Sequence, residues 1–387
     1  MFWRNYMERI RLWLWLTLAN GISSSKISSL LEIFDSIEDI YKAKKTDYEK
    51  IPKISAKDAD ILSNKSLKRA EEVIDECRSK GIRILTMESP YYPENLMHIF
   101  DPPYVLYVRC KEKLNLNECI CITVVGTRRP TDYGVLVTGE LSEELGKEGF
   151  TIVSGMARGI DSIALSAALS AGAKVVAVLG CGVDVVYPPE NKNLMNAIIE
   201  NGIVMSEYPP KTPPFKENFP QRNRILSALS MATLITEAPV RSGALITSSS
   251  AFEQNREVYA VPGNITSKES RGCNVLIREL GAKAVIDAES IIVDFRDCYA
   301  DVLRKNKPII KERTDNKTQF VSYNEKYKDL SEKERLIMMT MSPVPIHIDT
   351  IIEKTNLSAE ELTSELTMLE IAGMVKSHPG MMFSLNI

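Results

Sequence analysis

A chain of 387 residues with 44% hydrophobic and 26% charged side chains has the usage of a globular protein and length for about two to four domains, which excludes wholesale disorder, collagen-like repeats and small disulfide scaffolds. Its 48 Lys and Arg stand against 51 Asp and Glu, a formal net charge of −3, so no global basic field draws it to polyanions and any such site must be a local patch. Seven cysteines without a CxxC pair, and only three histidines, predict free thiols in a reducing cytoplasm and no metal site.

The apolar run at 12–19 follows Arg9 and Arg11. It is too short to span a membrane and has no small-residue cleavage site, so neither a signal peptide nor membrane insertion is expected. Apolar positions then recur at helical spacing, as at Ile27, Leu30, Leu31 and Phe34, and predict a small helical domain over 1–80. Arg78, Lys80 and Gly81 together form a helix stop signal.

Over 81–295 the pattern changes to short Val- and Ile-rich runs alternating with helices: CICITVVG, FTIVSG, KVVAVLG, GIVMSEY, ATLITEA and EVYAVPG. Near-continuous hydrophobicity in each run predicts a parallel sheet covered on both faces, a doubly wound α/β core. Ligands of such sheets bind in the crevice at the carboxyl ends of the strands. Residues 296–325 are polar, mixed in charge and contain Pro308, which predicts a linker. Over 326–387, helices at 331–341, 347–354 and 358–372 precede a hairpin-like ribbon, the order of a winged helix. Ser358 and Glu361 form a capping box. The third helix carries Glu360, Glu361, Glu365 and Glu370 and no basic residue. That charge is unsuited to the major groove, so this domain is expected to bind protein or to regulate the core.

Strand-end segments hold the candidate chemistry. Gly126, Thr127, Arg128 and Arg129 lead from a strand into a helix, where backbone N–H groups and guanidinium forks suit a phosphate. Gly155 to Asp161 repeats the arrangement, with Asp161 placed to orient the turn. In 207–230 four basic groups, Lys211, Lys216, Arg222 and Arg224, face two acidic ones, Glu207 and Glu217. Phe215 and Phe219 interleave with them, a combination suited to single-stranded nucleic acid. Arg222 and Arg224 are two apart and cannot share a helix face, so one of them is open to a structural role. Arg241, Ser242 and Gly243 offer a further phosphate grip at a helix start.

No Walker loop and no GxGxxG fingerprint occurs. His98, His347 and His378 lie outside these loops, so no histidine base serves nuclease or triad chemistry. Asp132, Asp161, Asp184, Glu207 and Glu237 read better as caps than as metal ligands, and neither catalytic residues nor a cofactor are expected.

The segments VVGTRRPTDYG, IVSGMARGIDSIALSAAL, AVLGCGVDVVYPPENKNL, SEYPPKTPPFKENFPQRNRILSALS, ITEAPVRSGALIT and VYAVPGNI, in this order, resemble the DprA (Smf) family of DNA-processing proteins over essentially the whole chain. The resemblance implies a helical SAM-like or helix-hairpin-helix-like N-terminal domain, an extended Rossmann-like core and a winged helix. It also implies a cytoplasmic homodimer that binds and protects single-stranded DNA and loads RecA onto it in natural transformation and recombination. Carried over by motif, Gly126, Thr127 and Arg128 hold a backbone phosphate. Phe219, Arg222, Asn223 and Arg224 form the heart of the pocket, Lys211 stands at its rim, and Ser242 with Gly243 completes it.

The chain departs from the family pattern twice. Ala164-Leu165 stands where Ala-His is frequent, and Lys211 stands where glycine is usual. The alternative is a nucleotide hydrolase of the related phosphoribohydrolase type. Val261-Pro262-Gly263-Asn264-Ile265-Thr266 lacks the glycine pair of the PGGxGT signature those enzymes carry.

Overall fold

The computed structural model describes residues 2–112, 114–308, 330–341, 346–355 and 357–385. The chain forms two compact units, Met1–Glu312 and Arg313–Ile387. The first takes in both the helical segment and the α/β segment.

The helical segment comprises α1 (Phe2–Thr17), α2 (Ser24–Leu31), α3 (Ile37–Lys42), α4 (Lys45–Tyr48), α5 (Ala56–Ser63) and α6 (Lys68–Ser79). The apolar run at 12–19 lies largely in α1, where Leu12, Trp13, Leu14, Trp15 and Leu16 are all buried. A helix apolar on every side has to be covered on every side. Trp13 meets the sheet by stacking on Tyr104 at 5.7 Å. Ser55 and Asp58 cap α5 reciprocally. The last turn of α6 closes by a bond from Ile82 N–H to the Cys77 carbonyl at 2.8 Å, with Gly81 at φ +64°, the left-handed C-cap that only glycine adopts freely.

The sheet has nine strands: β1 (Arg83–Thr86), β2 (Val105–Arg109), β3 (Cys121–Val125), β4 (Thr151–Ser154), β5 (Val175–Val178), β6 (Ile203–Ser206), β7 (Ala232–Ile235), β8 (Glu257–Ala260) and β9 (Lys283–Ala284). They run in the order β1-β2-β6-β5-β4-β3-β7-β8-β9. From β6 to β9 every pairing is parallel, whereas β1 and β2 add an antiparallel pair at one edge. The helices α7 (Asp132–Lys147), α8 (Ile160–Ser170) and α9 (Lys192–Asn201) pack on one face. On the other pack α10 (Asn218–Leu229), α11 (Gly243–Glu253) and α12 (Arg271–Glu279). The architecture is mixed α/β with a mostly parallel, doubly wound sheet, and the six strand runs read from the sequence are β3 to β8.

One expectation is corrected. The polar segment starting at 296 is not linker at its outset, because α13 runs Glu289–Asn306 with a break in helical geometry at Tyr299. Its second half presents few residues to the core, so the sequence shows no periodicity. Leu303 is buried, and Asn306 donates to the Glu118 carbonyl at 2.8 Å and accepts from Lys174 at 2.7 Å. Residues 309–325 of that segment, and 326–329 at the start of the predicted winged helix, lie outside the described residues.

The second unit contains α14 (Glu332–Thr340), β10 (Ile346–His347), α15 (Ile348–Thr355), α16 (Ala359–Ile371), β11 (Val375–His378) and β12 (Met382–Leu385). The strands form a sheet in the order β10-β12-β11. Ile337, Ile351, Leu362, Leu366 and Leu369 make its core, and capping boxes at Ser331 and Ser358 start α14 and α16. The expected winged helix is present, with β10 as an added strand. Among the described residues no helix is long and apolar enough to cross a membrane.

Candidate nucleic-acid interface

The chain leaves β3 toward β4, β5 and β6 on one side and returns to β7 on the other. The β3–β7 pair is therefore the switch point, where strand-end loops diverge and open a crevice. Gly126 sits at its floor. A Cβ there would lie 2.6 Å from Ile160 Cγ1 and 2.7 Å from the Glu237 carbonyl oxygen, so only glycine lets the two walls approach. Thr127 N–H donates to that carbonyl at 2.7 Å, and Ile160 N–H donates to the Thr127 carbonyl at 3.2 Å. Arg128 and Arg129 project from this turn and are exposed.

The next loop is held from beneath. Asp161, buried in the first turn of α8, accepts the N–H groups of Gly155 at 3.1 Å and Ala157 at 3.3 Å. Burial pushes its pKa up, and Arg222 is the leading opposing influence. Arg222 is 4% exposed. Its guanidinium donates to the Gly155 carbonyl at 2.9 Å, to the Val178 carbonyl, and to Asn223 Oδ1 at 3.2 Å. A Cβ on Gly155 would meet Arg222 at 2.4 Å and Asp161 at 2.7 Å, so the cation and carboxylate close on each other across that glycine.

Helix α10 supplies the aromatic part of the crevice. Phe219 is half-buried, packs on Tyr187 with centroids 5.4 Å apart, and lies against Gly180. The Arg128 guanidinium sits over the Phe219 ring at 5.8 Å, a cation–π contact between the β3–α7 turn and α10. Asn218 donates to the Gly180 carbonyl at 3.0 Å and Asn223 to the Gly243 carbonyl at 3.3 Å, tying α10 to the loops on either side. Ser242 caps α11 by accepting Ala244 N–H at 3.2 Å, and Gly243 beside it has open space around it.

Arg224 points elsewhere. It donates to Asp101 at 3.1 Å and to Glu207 at 2.6 Å, with a side chain 15% exposed. Positions two apart on an α-helix are about 200° apart around the axis. That angle sends Arg222 under the crevice and Arg224 to a partly buried ion pair.

Lys211 has φ +64°, a conformation in which a side chain is strained and glycine is not. Its ammonium pairs with Glu76 of α6 at 2.7 Å, and its N–H donates to Asp184 at 2.8 Å. Lys80 completes the ring by bonding Glu76 at 2.7 Å and Asp184 at 2.5 Å. Lys211 and Lys80 hold the Glu76 pKa below the ordinary carboxylate range. The charge that Lys211 adds to the rim is thus already met by the helical segment. No local pattern announces this partnership, because Glu76 and Lys211 are distant in sequence.

Gly126, Thr127, Arg128, Phe219, Arg222, Asn223 and Gly243 are therefore brought into one connected crevice, with Ser242 at its border. Lys211 and Arg224 are engaged by carboxylates. Leu165, where the family pattern often has histidine, is fully buried in the core. Among the described residues, no cluster of three or more His, Cys, Asp or Glu has the arrangement of a metal site. Val261 to Thr266 form the corresponding loop after β8, where Gly263 and Asn274 hydrogen-bond reciprocally at 3.1 and 3.0 Å.

Residues 83–296 match the model of the family described as DNA recombination-mediator protein A. The chain belongs to that family. Residues 324–381 match the DprA winged helix domain. Protein Smf of Synechocystis is 33% identical over 96% of this chain and 97% of its own, and DNA processing protein DprA of Bacillus subtilis is 40% identical over 57% of this chain and 73% of its own. Among solved structures, DNA processing protein A of Streptococcus pneumoniae aligns with a TM-score of 0.61 at 32% identity, covering 73% of this chain and 97% of that one. The same protein from Helicobacter pylori, solved to describe its single-stranded DNA binding mode, aligns with a TM-score of 0.51 at 32% identity over 56% of this chain and 97% of that one.

Proposed function

We propose that this chain is a recombination mediator that binds single-stranded DNA in the β3–β7 crevice, as a cytoplasmic homodimer, and loads RecA onto the bound strand without itself performing catalysis. The observation that carries the reading is the exposed Arg128 guanidinium, stacked over half-buried Phe219 at the switch point and joined, among the described residues, to no carboxylate. A cation beside an aromatic face pairs one phosphate and one base, which is what sequence-independent single-strand binding requires. Gly126 and Thr127 supply the turn, Arg222 and Asn223 its frame, and Ser242 with Gly243 the far border. The likeness to the Helicobacter pylori protein supports the choice of ligand. The acidic α16 favours a protein partner over duplex DNA for the winged helix.

The test is the affinity for a dT oligonucleotide and for a duplex, titrated against salt. Binding should favour the single strand, and Arg128→Ala should weaken it about tenfold while lowering the log–log salt slope by about 0.7, the value of one phosphate contact on single strands. Equal affinity for duplex, or an Arg128→Ala protein that binds like the native one, overturns the assignment. RecA filament formation on strands coated by a single-strand-binding protein reads the mediator step. Release of free base from nucleoside monophosphates would instead establish hydrolase chemistry.

A further inference from the structure

The two walls of the crevice are joined by one buried acidic residue. Glu237 follows β7 and is 1% exposed. Its carbonyl accepts Thr127 N–H at 2.7 Å, at the start of the β3–α7 turn. Its carboxylate reaches the other end of the same turn, where Oε2 accepts Thr131 N–H at 2.8 Å and Oε1 accepts the Thr131 hydroxyl at 2.6 Å. That hydroxyl in turn accepts Gly134 N–H at 3.2 Å and caps α7. Gly134 makes room for the carboxylate, since a Cβ there would stand 2.3 Å from Oε2. Below this point the hydroxyls of Thr138 on α7 and Thr236 beside β7 meet at 2.6 Å.

Arg128 and Arg129 therefore lie on a short turn clamped at both ends by a single residue of the neighbouring strand end. Clamping removes the entropy that an arginine-bearing loop would otherwise lose on binding. Seen only as a charge, Glu237 opposes a phosphate nearby. Seen as a clamp, it favours one.

We propose that Glu237 is the positioning residue of the phosphate turn, holding Thr127 to Thr131 so that Arg128 stands over Phe219 and faces a phosphodiester. This rests on the single-strand-binding reading above. Glu237 touches no ligand in this role and acts through Arg128.

The test uses the full chain and a dT oligonucleotide, with anisotropy titrations at several salt concentrations for Glu237→Gln, Thr131→Val, Arg128→Ala and the Glu237→Gln/Arg128→Ala double variant. Losing one or two hydrogen bonds to the carboxylate should weaken binding about three- to tenfold in Glu237→Gln, and Thr131→Val should show a smaller loss. In the Arg128→Ala background, Glu237→Gln should change affinity and salt slope by less than about twofold, because the interaction it supports is already gone. Tighter or unchanged binding in Glu237→Gln overturns the proposal, as does a loss that multiplies fully with that of Arg128→Ala. Should Glu237→Gln fail to fold, Thr131→Val with and without Arg128→Ala decides by the same criteria. An Arg128→Ala protein that binds like the native one overturns the underlying site reading and this proposal with it. A weak Arg128→Ala beside a native-like Glu237→Gln overturns this proposal alone.

Discussion

Arg128 and Arg222 are both arginines of strand-end motifs, and the fold puts them to opposite uses. Arg128 ends on a turn in solvent with an aromatic face beneath it, whereas Arg222 lies under the crevice floor with its donors given to the Gly155 and Val178 carbonyls and its charge facing Asp161. Burial lowers the Arg222 pKa, with Asp161 the main opposing influence. Among the described residues the exposed arginine meets no carboxylate, which leaves it open to the phosphate proposed above. The buried one gives its donors and charge to the loop from Gly155 to Asp161. A motif read letter by letter does not separate these roles, because both need the same fork of donors.

Removing the buried arginine gives the sharpest test of this division. Arg222→Ala leaves Asp161 and two carbonyls without their cation and should cost about 3–5 kcal/mol of stability, read by chemical denaturation. Full stability would show that Arg222 is no structural cation. Arg224→Ala comes next, since Glu207, with a side chain 16% exposed, then loses its partner. It should cost about 2–4 kcal/mol, while leaving the salt slope of oligonucleotide binding at the native value. A lowered slope would return Arg224 to the groove. Arg128→Ala sits at the other end, with weaker binding and an unfolding midpoint close to that of the native protein.

The smallest effect lies in the helical segment, far from these arginines, and is a control on reading pH titrations of binding. Lys26, helped by Ser55, lowers the Asp58 pKa to about 2. A carboxylate lowered in the folded state adds stability above its ordinary pKa near 4, and that contribution is lost as pH falls toward 2. Lys26→Met should therefore move the acid unfolding of this segment to higher pH, followed by the fluorescence of Trp13 and Trp15. An unshifted acid limb would show that the Lys26–Asp58 pair adds nothing to acid stability. The Ser55–Asp58 capping box adds about 1 kcal/mol, which a Ser55→Ala variant, keeping the Lys26–Asp58 pair, measures by thermal unfolding.

The six strand runs, the helix stop at Gly81 and the winged helix were legible because each is a local signal: a hydrophobic period, a cap or a turn residue. The antiparallel β1–β2 edge and the second half of α13 were not. β1 and β2 are as long as the parallel strands, but their antiparallel direction and partners are fixed by the sheet rather than by their own pattern. The α13 extension buries Leu303 and Asn306 but offers the core little else. In the crevice, the resemblance and the residue types together singled out loops that the fold brings side by side, but they did not foretell which basic groups were already paired. Lys211 with Glu76, and Arg224 with Asp101 and Glu207, are contacts between segments far apart in the chain.

By itself, the sequence determined a doubly wound α/β core with phosphate-suited turns at its strand ends, because backbone propensity and burial period act over a few residues. Only the tertiary structure decided which charges remain available there. Whether an arginine meets solvent, a carbonyl or a carboxylate depends on what the sheet order brings beside it, and at the β3–β7 switch point that neighbour is the chain returning from the far side of the sheet.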